Sequence, residues 1–167
     1  LGFYFINVAL KDDVQEIEKV VNSLNQPLTN LAHIELLDNN KAIAFYEWGH
    51  TNQQYFGSAL LKKNLFGWKF VSGSSGQLTY ENKLDWGFSN IAPYFSDYTD
   101  LLKGKILNPS IEKVRVETKS GNEYTANIVE YYNGEKFWFF ITDGEELLDS
   151  TITGLSSDGE IIEEITR

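Results

Sequence analysis

The 167-residue chain contains no cysteine. Disulfides, thiolate nucleophiles, cysteine zinc sites and a lipoprotein cysteine are therefore excluded from it. Positive charge is scarce, with 14 Lys and Arg against 24 Asp and Glu and a formal charge of −10. That balance repels phosphate backbones and anionic lipid, so nucleic acid is not an expected partner. Histidine occurs twice, as His33 and His50, without the spacing of a metal pair. No apolar run reaches the length that spans a bilayer. Gly-x-Gly-x-x-Gly, P-loop and Gly-x-Ser-x-Gly patterns are missing, so neither a phosphate cradle nor a nucleophile elbow is expected, and no cofactor is.

Aromatics are plentiful instead, at 14% of the chain within an apolar share of 42%. Large rings pack well on pleated surfaces and point to β structure. The clearest stretch runs from Ile111 to Thr142. Val114 and Val116 alternate with polar neighbours, Lys119-Ser120-Gly121-Asn122 makes a turn, and Tyr124, Ala126 and Ile128 alternate again. Asn133-Gly134 then closes a hairpin, being the dipeptide that best tolerates the positive φ angles of a type I′ turn. Phe137-Trp138-Phe139-Phe140-Ile141 is apolar on both faces and predicts a central, covered strand.

Elsewhere, Val14, Ile17, Val21 and Leu24 mark one face of an amphipathic helix from Asp12 to Leu24, capped by Asp12 or Asp13 and ended by Asn25-Gln26-Pro27. Two hairpins follow, His33–Leu37 with Ala42–Trp48 and Tyr55–Leu61 with Phe66–Val71. Ser72-Gly73-Ser74-Ser75-Gly76 reads as a flexible loop, and Gln77–Tyr80 as one more short strand. Leu84–Lys105 lacks a period and reads as a ring-rich crossover, with a helical turn near Asp97–Leu102. Thr151–Leu155 and Glu160–Ile165 form a last pair.

The expected fold is α+β and mainly β: an N-terminal amphipathic helix, then two antiparallel sheets in sandwich-like packing, at roughly residues 31–80 and 106–166. Residues 11–167 are expected to make a single domain, with lobes 11–83 and 106–167 around the crossover 84–105. The chain opens without Met on an uncharged decapeptide, Leu1 to Leu10, which suggests a processed piece. That decapeptide is either the tail of a removed signal anchor or the first strand or helical turn of the domain.

Two sets of segments carry a family resemblance. In the first half they are Ala42-Ile43-Ala44-Phe45-Tyr46-Glu47 and Leu61 to Gly73. In the second they are Gly104-Lys105-Ile106, Pro109 to Val114, Phe137-Trp138-Phe139 and Gly154 to Glu160. Together they resemble a family of small proteins of low-GC Gram-positive bacteria that carry a signal or membrane-anchor segment ahead of the domain. The resemblance covers most of the chain from about Leu31 and implies a place outside the membrane, with membrane contact only through the N-terminal segment. It brings no activity with it.

The candidate sites are accordingly modest. Glu47, Glu81 and Asp85 sit among aromatics, and a pair such as Glu47 and Asp85 would suit a paired-carboxylate hydrolase acting on a wall or sugar polymer. Asp143, Glu145 and Asp149 concentrate acid after the central strand and offer oxygen ligands to calcium, though not at EF-hand spacing. Trp48, Trp68, Trp86, Tyr46, Tyr55 and Tyr94 offer flat rings for stacking, most of them expected in the core. Trp86 and Tyr94 are the first choice for a binding platform, because they fall in the irregular crossover. The function expected from this inventory is a non-enzymatic, extracellular or cell-envelope module that binds another envelope protein or a wall component.

Overall fold

The computed structural model describes residues 2–24 and 26–166, with side chains at 11–24, 26–27 and 30–166. Among the described residues one helix precedes twelve strands, which make three antiparallel four-stranded sheets, so the fold is mainly β as expected, with one sheet more. The chain divides into two compact units, Leu1–Gln77 and Leu78–Arg167. The expected crossover therefore belongs to the second unit.

In the first unit α1 (Gly2–Asn22) precedes β1 (Leu28–Asp38), β2 (Lys41–His50), β3 (Gln53–Asn64) and β4 (Gly67–Gln77), which follow one another across a meander. The helix starts ten residues before the expected Asp12. Asp12 and Asp13 thus lie inside it rather than capping it. The side chains of the opening decapeptide, and Asn25 of the expected stop, lie outside the described residues. Ile17 and Val21 are fully buried against Ala42, Ala44, Ala59 and Leu61. Alanines on the facing strands let the helix approach closely, and β-branched knobs fill the space they leave.

The Ser72–Gly76 run corrects an expectation: it is the second half of β4 and pairs residue by residue with Phe56–Leu60. Small side chains gave no periodic signal, yet the long β3 offers a ladder of backbone partners, and that ladder orders the run. Gln77 ends β4, and Tyr80 stands exposed in a turn rather than in a further strand.

The second unit holds β5 (Gly87–Asn90), β6 (Asp100–Ile106), β7 (Lys113–Glu117), β8 (Glu123–Thr125), β9 (Asn127–Glu130), β10 (Lys136–Ile141), β11 (Thr151–Leu155) and β12 (Ile161–Thr166). They form two sheets, in the orders β5-β6-β10-β9 and β12-β11-β7-β8. The anticipated single meander is split between them. Its middle strand breaks at Ala126, so that β8 stays with β7 while β9 joins β10. Ala126 is buried, donates its N–H to the Val114 carbonyl at 2.8 Å and turns the chain from one sheet into the other. The helical turn expected near Asp97–Leu102 is absent. Asp100–Leu102 opens β6, which is buried along its whole length between β5 and β10.

Other expectations hold. Asn133 and Gly134 both have positive φ, 52° and 78°, as a type I′ turn requires. β10 is central, with Phe137, Trp138 and Phe139 buried. Leu102, Ile106 and Trp138 from one sheet and Val114, Val116 and Ile152 from the other share a single core cluster. Within this unit the two sheets therefore enclose a common interior.

Candidate functional site

A concavity of about 560 Å³ in the second unit lies towards the β5 and β12 margin of these two sheets. Trp86, just ahead of β5, and Phe88 within it bring two rings. Leu102 comes from β6, Ile152 from β11 and Ile165 from β12. The remaining wall is the loop Leu147-Leu148-Asp149-Ser150. Its volume is within the range of small-molecule sites, and its lining is mainly apolar with a few polar groups, as such sites usually are.

Each wall is fixed by an identifiable contact. The segment carrying Trp86 runs close along β6: the Asp85 N–H donates to the Lys105 carbonyl at 2.9 Å, and the Asp85 carbonyl accepts the Trp138 indole N–H at 2.9 Å. Gly104 makes that approach feasible. A Cβ there would fall 1.8 Å from the Asp85 carbonyl oxygen. The opposite wall is held by Asp100, whose Oδ2 accepts the Leu147 N–H at 2.8 Å, and by Thr99, whose hydroxyl accepts the Gly144 N–H at 2.7 Å. Asp149 has φ of 61°, a left-handed conformation that turns the chain sharply ahead of Ser150.

Two buried oxygens in this neighbourhood make no hydrogen bond among the described residues, the Oγ of Ser150, a residue of the cavity wall, and the Oδ1 of Asp100. Ser150 is 5% exposed. A buried hydroxyl without a partner costs about 1–3 kcal/mol. Burial raises the Asp100 carboxyl above its ordinary value against the Leu147 N–H, and the nearby Glu146 charge raises it further.

The residues expected from sequence are distributed unevenly around this site. Trp86 and Asp149 line the cavity, whereas Tyr94 is exposed and is not part of its wall. Asp149 pairs with Lys119 at 3.3 Å on an open surface. Glu145 accepts hydrogen bonds from the Thr118 hydroxyl at 2.7 Å, the Tyr124 hydroxyl at 2.9 Å and the Asn122 amide, which hold its carboxyl below the ordinary value. It clips the acidic loop to the β7–β8 hairpin. Among the described residues no group of three His, Asp or Glu side chains is placed to hold a metal ion, so the calcium set Asp143, Glu145 and Asp149 is not assembled. The histidines are likewise apart from any such group: His33 bonds Glu35 at 2.8 Å, and His50 is exposed.

Glu47 lies in β2 of the first unit and Asp85 in the second. Burial pushes the Asp85 carboxyl up to about 6, against the backbone N–H groups of Lys105 and Trp86 and the charges of Lys103 and Lys105. Burial pulls the Lys103 ammonium down to about 8, with the Asp85 charge acting the other way. The charged neighbours that act on Asp85 in this unit are thus cations, not a second acid. Of the remaining rings, Trp48 stacks on Tyr55 with centroids 4.2 Å apart, while Trp68 and Tyr46 are buried in the first core.

Ser150, Phe88, Leu147 and Ile165 carried no signal in the sequence. A serine is informative only by what surrounds it in space, and here the wall is gathered from four strands and a loop. No helix among the described residues is long and apolar enough to cross a membrane. No family model, curated protein or solved structure matches the chain.

Proposed function

We propose that this chain is a non-enzymatic binding module of the cell envelope, and that its second unit takes the apolar part of a ligand, a ring or a short acyl chain, into the Trp86–Ser150 cavity. The observation that carries this reading is the cavity itself, of small-molecule size and mainly apolar, with the Trp86 and Phe88 rings on one side and Asp149 and Ser150 among its few polar residues. The envelope placement rests on the resemblance and on the uncharged opening decapeptide. The paired-acid alternative draws no support from Asp85, whose ionic neighbours are lysines.

The test is retention of the chain on an isolated wall fraction, together with displacement of an apolar fluorescent probe, anilinonaphthalene sulfonate, from the folded protein. Trp86→Ala is expected to abolish both while the thermal midpoint stays within a few degrees. Tyr94→Ala, an exposed ring outside the cavity, is expected to leave both intact. Equal retention of the Trp86 variant and the wild type would remove the cavity from the function.

A further inference from the structure

The turn between β3 and β4 breaks a general rule of hairpins. Its two central residues are Leu65 and Phe66, 99% and 86% exposed, where polar turn formers would be ordinary. The turn is well anchored all the same. The Asn64 side chain accepts the Phe66 N–H at 2.8 Å, and Gly67 adopts φ of 105° against α1, where a Cβ would strike the Glu16 carboxylate. An ordered tip that displays two large apolar side chains to solvent gains no stability from them. Together with Phe70 they are all the exposed large apolar side chains described in the first unit.

The charge around the tip departs from that of the chain. Lys62, Lys63 and Lys69 flank the turn, and Asp13 and Glu16 answer them from the helix, leaving a net +1 locally in a molecule of −10. The Lys69 ammonium lies 6.0 Å from the Phe66 ring centroid. The direction of α1 adds an independent observation. Asp13 accepts the Lys63 ammonium at 2.6 Å and the Trp68 indole N–H at 3.0 Å, which sets this turn of the helix level with the hairpin tip. Ile17 and Val21 lie further into the sheet. The helix backbone before Asp13 therefore continues past the tip, by about 16 Å to Gly2 at 1.5 Å per residue. That stretch contains no charged residue as far as Leu10.

We infer that the Leu65–Phe66 tip is a membrane-contact device, which dips into the headgroup and acyl boundary of an anionic bilayer beside the uncharged first turns of α1. Two side chains are far too small an area for a stable contact with a second protein. Apolar wedges ringed by lysines are, however, the composition of interfacial anchors. The global charge of −10 repels such a surface as a whole, but screening confines that repulsion to about 8–10 Å, and within this reach the tip presents its lysines. This inference stands apart from the cavity and does not depend on it.

The test is flotation of the whole 167-residue chain with vesicles of phosphatidylcholine, alone or mixed with phosphatidylglycerol. The wild type is expected to float with the mixed vesicles and less with the neutral ones. The double variant L65S/F66S keeps α1 intact and is expected to lower partitioning by about tenfold or more. K62Q/K69Q is expected to remove most of the preference for phosphatidylglycerol, at about fivefold per lysine. Because the chain lacks cysteine, L65C takes a single environment-sensitive dye, whose emission should shift to the blue on the mixed vesicles. Partitioning of L65S/F66S equal to the wild type would overturn the inference, and so would an unshifted dye. Lipid-free self-association that L65S/F66S abolishes would assign the tip to a second copy of the chain instead.

Discussion

Asp85 and Lys103 are held in a setting that favours the neutral form of each, and the consequences for stability have opposite signs with pH. The Asp85 carboxyl titrates at about 6 in the fold against 3.8 ordinarily. The folded state thus binds a proton there more tightly than the unfolded chain does. Its contribution is present in full below pH 4 and is lost as pH rises through about 6. Lys103 sits at about 8, below its ordinary 10.5, so its contribution is present above that ordinary value and is lost as pH falls through 8. Asp85→Asn should therefore melt with the wild type below pH 4 and gain over it between pH 4 and 6, by on the order of 2 kcal/mol. Thermal melts of the two proteins across that window provide the check. Ser150 gives a second residue-scale expectation. Removing its unpartnered hydroxyl in Ser150→Ala should raise the stability of the protein, by about 1 kcal/mol in denaturant unfolding. A merely structural serine would lose stability on the same change.

Among the elements, strands whose apolar residues alternate or run together were legible from sequence, and strands stabilised by their neighbours were not. β10 announced itself by five consecutive apolar residues behind an Asn-Gly turn, and its central place follows from them. β6 reads Asp-Leu-Leu-Lys-Gly-Lys-Ile, a polar and periodless string, yet it is wholly buried. Its lysines and aspartate are tolerated because partners lie nearby, as Glu135 does for Lys105 at 3.0 Å. Those partners are distant in sequence and so invisible in it. The second half of β4 escaped for the converse reason, since serine and glycine say nothing of the ladder that holds them. Trp86 stood out in the sequence as a ring in an irregular crossover, while Phe88, Ser150 and Ile165 join it on one wall only through the pairing of β5, β6, β11 and β12. Gly104 shows how narrow the tolerance between elements is. Gly104→Ala should push the Asp85–Trp86 segment off β6 and cost about 2–4 kcal/mol in chemical denaturation. Loss of probe binding should accompany it.

For the molecule as a whole, each unit builds its own hydrophobic cluster, and in each sheet the strands paired on both sides are the inner pair. Amide exchange should follow that order. The slowest amides are expected in β2 and β3 of the first unit and in β6, β10, β7 and β11 of the second, with β5, β8, β9 and β12 opening sooner. Peptide-resolved hydrogen exchange measures this directly, and fast exchange in β6 would contradict the central position that its burial indicates. The corner at Ala126 has a mechanical meaning for the same unit. There the covalent chain stitches β8 to β9, so the two sheets are bound along one margin like the leaves of a book. The cavity lies towards the other margin, where β5 and β12 carry no such stitch. The chain also crosses between the sheets from β6 to β7 and from β10 to β11, the second time as the cavity's own loop wall, so the breadth of that space is set by chain connectivity as much as by packing.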